Sequence, residues 1–236
     1  MDPRERLIVA LDVEHLHEAE ELVEKLADSA DIFKVGIAPF TAFGPGLLDV
    51  LGEKGKKVFL DLKVHDIPNT VLNAAYQAAR KNVFMMNFHC LGGKAMMEAA
   101  VKGAEKAGEE GRRKPLLLGV TVLTSMDGEG LRETGIGASV EDTVLKFASM
   151  AKEAGLNGVV ASAREAKKIK EKLGEGFVIV TPGIRPEWAA KGDQKRVLSP
   201  KEAIKEGADY IVVGRPIIKA DDPAAAAEKI IEEMEG

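Results

Sequence analysis

The chain has 236 residues, of which 45% are hydrophobic and 30% are charged, and its formal net charge of −5 argues against a general nucleic-acid-binding surface. No apolar run approaches the ~20 residues that a membrane span needs, and the charged N-terminus leads directly into the first predicted strand with no signal peptide in view. A single cysteine, Cys90, excludes an internal disulfide and is typical of a protein in the reducing cytoplasm.

Eight short segments of near-continuous hydrophobicity run along the chain, and helical patterns separate them. Such segments are typical of parallel strands that are covered on both faces. The predicted strands are residues 7–11, 32–37, 58–62, 83–88, 116–123, 158–161, 177–180 and 210–213.

The intervening helices carry recognisable signals. An apolar stripe with helical spacing follows the first strand. Ser139, Ser162 and Ser199 each precede an acidic residue by three positions, which is the spacing of a capping box. Asp222, followed at once by Pro223, marks the start of the last predicted helix.

Eight strands that alternate with about eight helices predict an α/β protein with a (β/α)8 barrel, or TIM barrel, whose usual length is ~250 residues. The alternative is an open, doubly wound sheet, but the chain lacks a G-x-G-x-x-G motif after its first strand. No linker or low-complexity segment divides the sequence. We therefore expect residues 1–236 to form a single TIM-barrel domain.

The most informative stretch is residues 59–71, FLDLKVHDIPNTV. Asp61 and Lys63 share one face of the predicted strand because strand side chains alternate with period two. Asp66 follows in the turn before a helix that Pro68 is suited to begin. A surface salt bridge that caps the strand is the plain alternative. In a barrel, however, catalytic groups occupy the carboxyl ends of the strands, so we interpret the cluster as catalytic.

Polar side chains also follow other predicted strands. Because the carboxyl ends of all barrel strands meet at one mouth, these side chains are expected to converge there. They are Asp12 after the first strand, Lys34 within the second, Thr124 and Ser125 after the fifth, and Thr181, which Pro182 and Gly183 follow, after the seventh.

The last two strands indicate a phosphate site. Gly214 allows close approach of the backbone to a ligand, and Arg215 can grip phosphate oxygens in a fork. Barrels often bind phosphate in the loops after strands seven and eight. The long loop of residues 183–197 has the length of a lid, and it contains Arg185 and Gln194, whose amide can donate to the phosphate. An exposed turn arginine is the alternative for Arg215.

Other candidate groups give weaker signals. His89 and Cys90 end the fourth predicted strand, but two potential ligands alone make a poor zinc site, so no metal site is predicted. His65 lies beside the charged cluster and is expected to support it rather than act as the base. Trp188 in the predicted lid either covers a ligand or anchors the loop.

Seven segments together resemble the bacterial-type orotidine 5′-monophosphate decarboxylase family. They follow one another along essentially the whole chain, and the D-L-K-x-H-D-I-P-N-T pattern is highly specific. The segments are LIVALDV at 7–13, IFKVG at 32–36, FLDLKVHDIPNTV at 59–71, VTVLTSMD at 120–127, TPGIRP at 181–186, GDQKRV at 192–197 and IVVGRPII at 211–218.

The resemblance implies conversion of orotidine 5′-monophosphate (OMP) to UMP and CO₂, the last step of de novo pyrimidine synthesis, without a metal or organic cofactor. It also implies roles for particular residues. Lys63 matches the proton donor to C6 of the pyrimidine. The matched positions are Lys34, Asp61, Lys63 and Asp66 in the charged catalytic network, Asp12 and Lys34 at the ribose, Thr124 and Ser125 at the pyrimidine, and Arg185, Gln194, Gly214 and Arg215 on the phosphate side. Pro182 is a further substrate-binding position.

The resemblance further implies a homodimer. In the family, the counterparts of Asp66, Ile67 and Thr70 reach the ligand of the neighbouring subunit. No nucleic acid or membrane partner is expected.

Two other functions remain open from the residues. A magnesium-dependent keto-gulonate-phosphate decarboxylase or hexulose-phosphate synthase shares the D-x-K-x-x-D strand, but these relatives place an acidic metal ligand near the end of strand two. This chain has Lys34 there, and a cation repels a metal. A catalytically silent phosphate-binding barrel is the third candidate, and the intact charged cluster argues against it.

Overall fold

Eight parallel strands close into a barrel in the order in which they occur in the sequence. The structure, a computed structural model, describes residues 2–189 and 198–235. The strands are β1 (Leu7–Ala10), β2 (Ile32–Gly36), β3 (Lys57–Val64), β4 (Met85–His89), β5 (Leu116–Val120), β6 (Gly158–Val160), β7 (Val178–Thr181) and β8 (Tyr210–Val213).

Helices surround the barrel, and twelve α-helices occur within the described residues. They are α1 (Pro3–Arg6), α2 (Leu16–Lys25), α3 (Ile37–Phe43), α4 (Gly46–Glu53), α5 (Pro68–Arg80), α6 (Lys94–Glu109), α7 (Gly128–Glu133), α8 (Val140–Glu153), α9 (Ala163–Leu173), α10 (Pro200–Lys205), α11 (Arg215–Ile218) and α12 (Pro223–Glu235). A 3₁₀ turn, Cys90–Gly92, links β4 to α6. None of the described helices has the length and apolarity to cross a membrane.

The core has two parts because alternate strand residues point into the barrel or out toward the helices. The outward-facing residues pack with the apolar stripes of the helices into one large cluster. The inward-facing residues form a second buried cluster that fills the barrel. Its members include Ile8, Ile32, Phe59, Met85, Leu118, Val160, Val180, Tyr210 and Val212.

The apolar residues that fill the barrel lie directly beneath polar residues at its carboxyl end. Asp61 follows Phe59 by two positions on β3, and Asn87 follows Met85 by two positions on β4. Each polar residue therefore lies on the inward face, one layer above a buried apolar side chain. The predicted (β/α)8 barrel is confirmed.

Some element boundaries differ from the prediction. The fifth strand ends at Val120 and not at residue 123, because its neighbour β6 ends at Val160 and offers no further pairing partner after the bond from the Thr121 N–H to the Val160 carbonyl. Thr124 and Ser125 consequently lie in the loop and not at the strand end.

Two of the three predicted serine caps have the expected geometry. Ser139 accepts from the Asp142 N–H at 3.1 Å, and Ser199 forms a reciprocal capping box with Glu202. Ser162 departs from the prediction because its hydroxyl accepts from the Arg164 N–H instead of the residue three positions on.

Candidate active site

The carboxyl end of β3 departs from regular strand geometry. Its pairing with β4 runs from Leu60 opposite Met86 to Val64 opposite Phe88, so three β3 residues lie opposite the single residue Asn87. Lys63, within this bulge, has a φ of 49°, in the left-handed region. For a residue with a β-carbon this conformation costs about 1 kcal/mol or more, so the surroundings have to stabilise it.

The buried amide of Asn87 bridges this irregular segment. Its Oδ1 accepts from the Lys63 backbone N–H at 2.8 Å, and its Nδ2 donates to Asp61 Oδ1 at 2.6 Å. Asn87 is fully buried. This residue was not predicted from the sequence, although a lone amide within the apolar segment MMNFH is a usable signal, since a buried polar side chain needs specific partners.

Four charged side chains form a row across the mouth, with alternating signs. Lys63 Nζ donates to Asp61 Oδ1 at 2.7 Å, and Asp61 Oδ2 lies 3.6 Å from Lys34 Nζ. Lys34 Nζ in turn lies 3.4 Å from Asp12 Oδ1. Asp61 is buried, and Lys34 is nearly so, whereas Lys63 and Asp12 are more open at the two ends. Both ammonium groups lie beside the adjoining cavity, and that of Lys63 is the more exposed of the two.

A cavity of about 190 Å³ opens beside Lys34, Asp61 and Lys63. Its opposite wall is mostly apolar, and the hydroxyl residues Thr124 and Ser125 line part of it. The apolar and small lining residues are Phe59, Val120, Val122, Leu123, Val160, Ala161, Pro182 and Val212. A partly apolar group with a few polar edge atoms suits such a site, because apolar walls exclude water and strengthen charge interactions.

A second cavity, of about 220 Å³, adjoins the first and shares Lys34, Pro182 and Val212 with it. Its remaining lining residues are Ala10, Asp12, Gly183, Arg185, Gly214 and Arg215. Two guanidinium groups and a glycine at this end suit an anion such as phosphate. The predicted position Gln194 lies outside the described residues.

Gly214 is closely surrounded. A β-carbon at this position would lie 3.3 Å from the Ala10 β-carbon and 3.6 Å from Asp12 Oδ2. A side chain here would therefore crowd the end of β1, and the small residue keeps the second cavity open beside Arg215.

Asp66, Ile67 and Thr70 do not line either cavity within the protomer. All three belong to an exposed segment, residues 65–70, at the start of α5. Asp66 Oδ1 accepts from the Ile67 N–H at 2.7 Å, and among the described residues no ion pair joins Asp66 to Lys63. Ile67 is 67% exposed, which is unusual for a large apolar side chain.

Two histidines lie near the charged row. The rings of His65 and His89 are 5.8 Å apart between centroids. Burial lowers the pKa of His89, and the nearby His65 and Lys63 lower it further, against an opposing effect of Asp61. Burial also raises the pKa of the adjacent Cys90 thiol to about 12, so this thiol is unreactive. Across the described residues, no three His, Cys, Asp or Glu side chains are grouped so as to hold a metal ion.

Comparisons with known proteins agree with this geometry. A sequence model of the orotidine 5′-phosphate decarboxylase / HUMPS family matches residues 5–230. The orotidine 5′-phosphate decarboxylase of Moorella thermoacetica is 51% identical over 237 residues, which cover 100% of this chain and 94% of that protein. That of Syntrophotalea carbinolica is 50% identical and covers 99% of this chain and 96% of its own length.

Solved structures give the same result. The crystal structure of orotidine 5′-phosphate decarboxylase from Lactobacillus acidophilus superposes with a TM-score of 0.87 at 39% identity and covers 98% of this chain and 100% of that chain. The enzyme from Pyrococcus horikoshii gives a TM-score of 0.77 at 26% identity, with 98% and 99% coverage.

Proposed function

The chain belongs to the orotidine 5′-phosphate decarboxylase / HUMPS family, and from this membership and the site geometry we propose that it is a carboxy-lyase that converts OMP to UMP and CO₂. The observation that carries the proposal is the row Asp12–Lys34–Asp61–Lys63 beside a mostly apolar cavity. The adjoining arginine-lined cavity suits the 5′-phosphate. Apart from substrate and one proton from solvent, the proposed reaction needs only side chains of the protein.

Lys63 supplies the central chemistry in this proposal. Loss of CO₂ from C6 leaves a carbanion that the pyrimidine ring delocalises poorly, so the barrier is largely electrostatic. The Lys63 ammonium, held by Asp61 at 2.7 Å, offers positive charge where the negative charge develops. It then donates a proton to C6, which gives UMP, and the resulting neutral amine regains a proton from solvent.

Repulsion between Asp61 and the substrate carboxylate is the smaller effect. Two like charges 4 Å apart repel by about 4 kcal/mol at an effective dielectric constant of 20, which corresponds to roughly three decades in rate if fully relieved. Enzymes commonly lower barriers by ~8–23 kcal/mol, so this repulsion alone falls short. Stabilisation of the transition state by Lys63 therefore contributes more, and binding of the remote phosphate helps to hold the pyrimidine in place.

The related magnesium-dependent sugar-phosphate chemistry fits this site less well. Those relatives need an acidic metal ligand near the end of β2, where this chain has Lys34. Its ammonium lies 3.6 Å from Asp61 Oδ2, so this carboxylate already has a cation beside it. A cation at this distance opposes binding of a second cation.

We also propose a homodimer in which Asp66, Ile67 and Thr70 reach the neighbouring subunit's site. Three exposed apolar side chains support it: Ile37, Ile67 and Leu91 follow the adjacent strands β2, β3 and β4, and each is more than half exposed.

The single buried Cys90 supports the cytoplasm as the location of the reaction.

The direct test is to mix purified protein with OMP in the presence of EDTA and follow the absorbance change of the pyrimidine. We expect conversion to UMP that EDTA does not reduce. The Lys63→Ala protein, purified in parallel, controls for a contaminating host enzyme. Absence of turnover by folded protein would overturn the proposal, and turnover that EDTA abolishes would favour the metal-dependent alternative.

A further inference from the structure

We propose that Asn87 is a positioning residue that aims the Lys63 ammonium and the Asp61 carboxylate at the reacting carbon. The inference rests on the decarboxylation proposed above. Asn87 lines neither cavity, so it acts through its two neighbours and not on the substrate.

The first step concerns the backbone of Lys63. In the β3–β4 ladder, residues 61–63 face only Asn87, so the regular exchange of backbone hydrogen bonds is interrupted here. The Asn87 side chain replaces the missing acceptor, because its Oδ1 accepts from the Lys63 N–H at 2.8 Å. This bond holds Lys63 in its left-handed conformation, which sets the direction in which the side chain leaves the strand.

The second step concerns the carboxylate of Asp61. Its Oδ1 accepts from Asn87 Nδ2 at 2.6 Å and from Lys63 Nζ at 2.7 Å, while Oδ2 is turned toward Lys34. One amide therefore fixes both the backbone and the ion-pair partner of Lys63. Rotation of the Asp61 carboxylate would break the bond to Asn87.

The third step concerns the residue type. Position 87 must provide an acceptor for a backbone N–H and a donor for a carboxylate at the same time. Asn87 is 0% exposed, so bulk water cannot replace either the acceptor or the donor. A carboxylate in its place lacks the donor, and an aliphatic side chain lacks both groups.

The test compares wild type with Asn87→Leu and Asn87→Asp. The leucine variant removes both hydrogen bonds of the Asn87 amide with a side chain of similar volume. The aspartate variant keeps the acceptor but places a second negative charge beside Asp61. We expect kcat to fall about 100-fold in each, as misplacement of a reacting group by ~1 Å does. The dissociation constant of UMP should change by less than about threefold, since the proposed ribose and phosphate contacts lie on other residues.

A matched control comes from the other end of the barrel. Asn157 also bridges strands through its side chain, since its Oδ1 accepts from the Leu117 N–H at 2.8 Å. Asn157→Ala should leave kcat and UMP binding unchanged. In the Lys63→Ala background, Asn87→Leu should lower the residual rate by no more than about twofold, because its effect passes through Lys63.

Amide hydrogen exchange separates this inference from the proposed reaction. Loss of the Asn87 bond should speed exchange of the Lys63 amide roughly fivefold, whatever substrate the enzyme uses. If the wild type does not decarboxylate OMP, the proposed reaction fails and this readout still tests Asn87. A folded variant with unchanged kcat, or one whose affinity for UMP falls as much as its kcat, would overturn the positioning role, as would unchanged exchange.

Discussion

At the scale of single residues, the site depends on opposite charges held at short distances. Asp61 contacts one ammonium through each of its oxygens, at 2.7 Å from Lys63 and 3.6 Å from Lys34. Because the pair with Lys63 lies beside apolar cavity walls, the ammonium interacts more strongly with developing charge than it would in open water. A single neutralising change in this row is therefore expected to affect the rate far more than the stability.

Replacement of Lys63 by alanine tests this expectation. It removes both the stabilising charge and the proposed proton donor, so we expect kcat to fall by at least about 10⁴-fold. The free energy of unfolding, measured in urea, should change little because Lys63 is only half-buried. The surface variant Lys54→Ala, which loses an exposed ion pair with Glu24, serves as the control and should retain full activity. Retention of most activity by Lys63→Ala would refute the proposed proton donor.

The lowered pKa of His89 has a consequence for stability. The folded protein disfavours the charged imidazole, so the unfolded chain binds more protons as the pH falls through the ordinary value of 6.5. The stabilisation that comes from keeping His89 neutral is therefore fully present above pH 6.5. It declines as the pH falls from 6.5 to the lower pKa of the folded state. Unfolding measured from pH 5 to 8 should show a shallower acid-side decline for His89→Gln than for wild type. The exposed His17→Gln is the control, and an identical decline in all three proteins would contradict the assignment.

At the scale of elements, the sequence predicted which strand carries the site but not how that strand is deformed. Asp61 and Lys63 do meet, with Lys63 Nζ 2.7 Å from Asp61 Oδ1, but Lys63 lies within a bulge and does not follow the regular alternation from which the contact was predicted. The bulge that turns Lys63 into the left-handed region depends on Asn87 of the neighbouring strand, a contact between residues 24 positions apart. Such a contact has no local signal in β3. The end of β5 was likewise set by its neighbour β6 and not by the apolar run itself.

Close packing against α6 fixes the position of α5, the helix whose start belongs to the exposed segment of residues 65–70. A β-carbon on Gly103 of α6 would lie 2.1 Å from the Leu72 carbonyl oxygen of α5, a backbone atom that cannot move alone. Gly103→Ala should therefore force the helices apart and destabilise the protein by about 1–3 kcal/mol, measured by urea unfolding.

Gly108, on the same helix, provides the matched control for this packing. A β-carbon there would meet only carbons of the flexible Lys114 side chain, at 3.2 Å. Gly108→Ala should be neutral or stabilising by up to about 1 kcal/mol, since alanine favours helix more than glycine. Equal effects of the two substitutions would show that the contact with Leu72 is not limiting.

At the scale of the whole molecule, the residues that stabilise the barrel and the charged residues of the proposed site lie in different layers. Buried apolar residues such as Phe59 and Met85 fill the interior, and the charged groups occupy the layer above them. This arrangement explains why the fold was predictable from sequence, since eight apolar runs specify eight buried strands. The spacing of Asp66 from Lys63 did not predict its relation to the charged row, because among the described residues no ion pair joins the two side chains. Only the family resemblance implied a contact from a second copy.

Mixing two inactive variants tests that proposed contact across the dimer. If Asp66 serves the neighbouring subunit, a heterodimer of Lys63→Ala and Asp66→Ala subunits regains one complete site, formed by Lys63 of one chain and Asp66 of the other. Random re-association makes half of the dimers mixed, each with one working site of two, so the mixture should reach about a quarter of wild-type activity. Lys63→Ala mixed with Asp61→Ala is the control and should stay inactive, because both residues act within one chain. No recovery in the first mixture, with heterodimers demonstrated by mass spectrometry, would assign Asp66 to its own subunit.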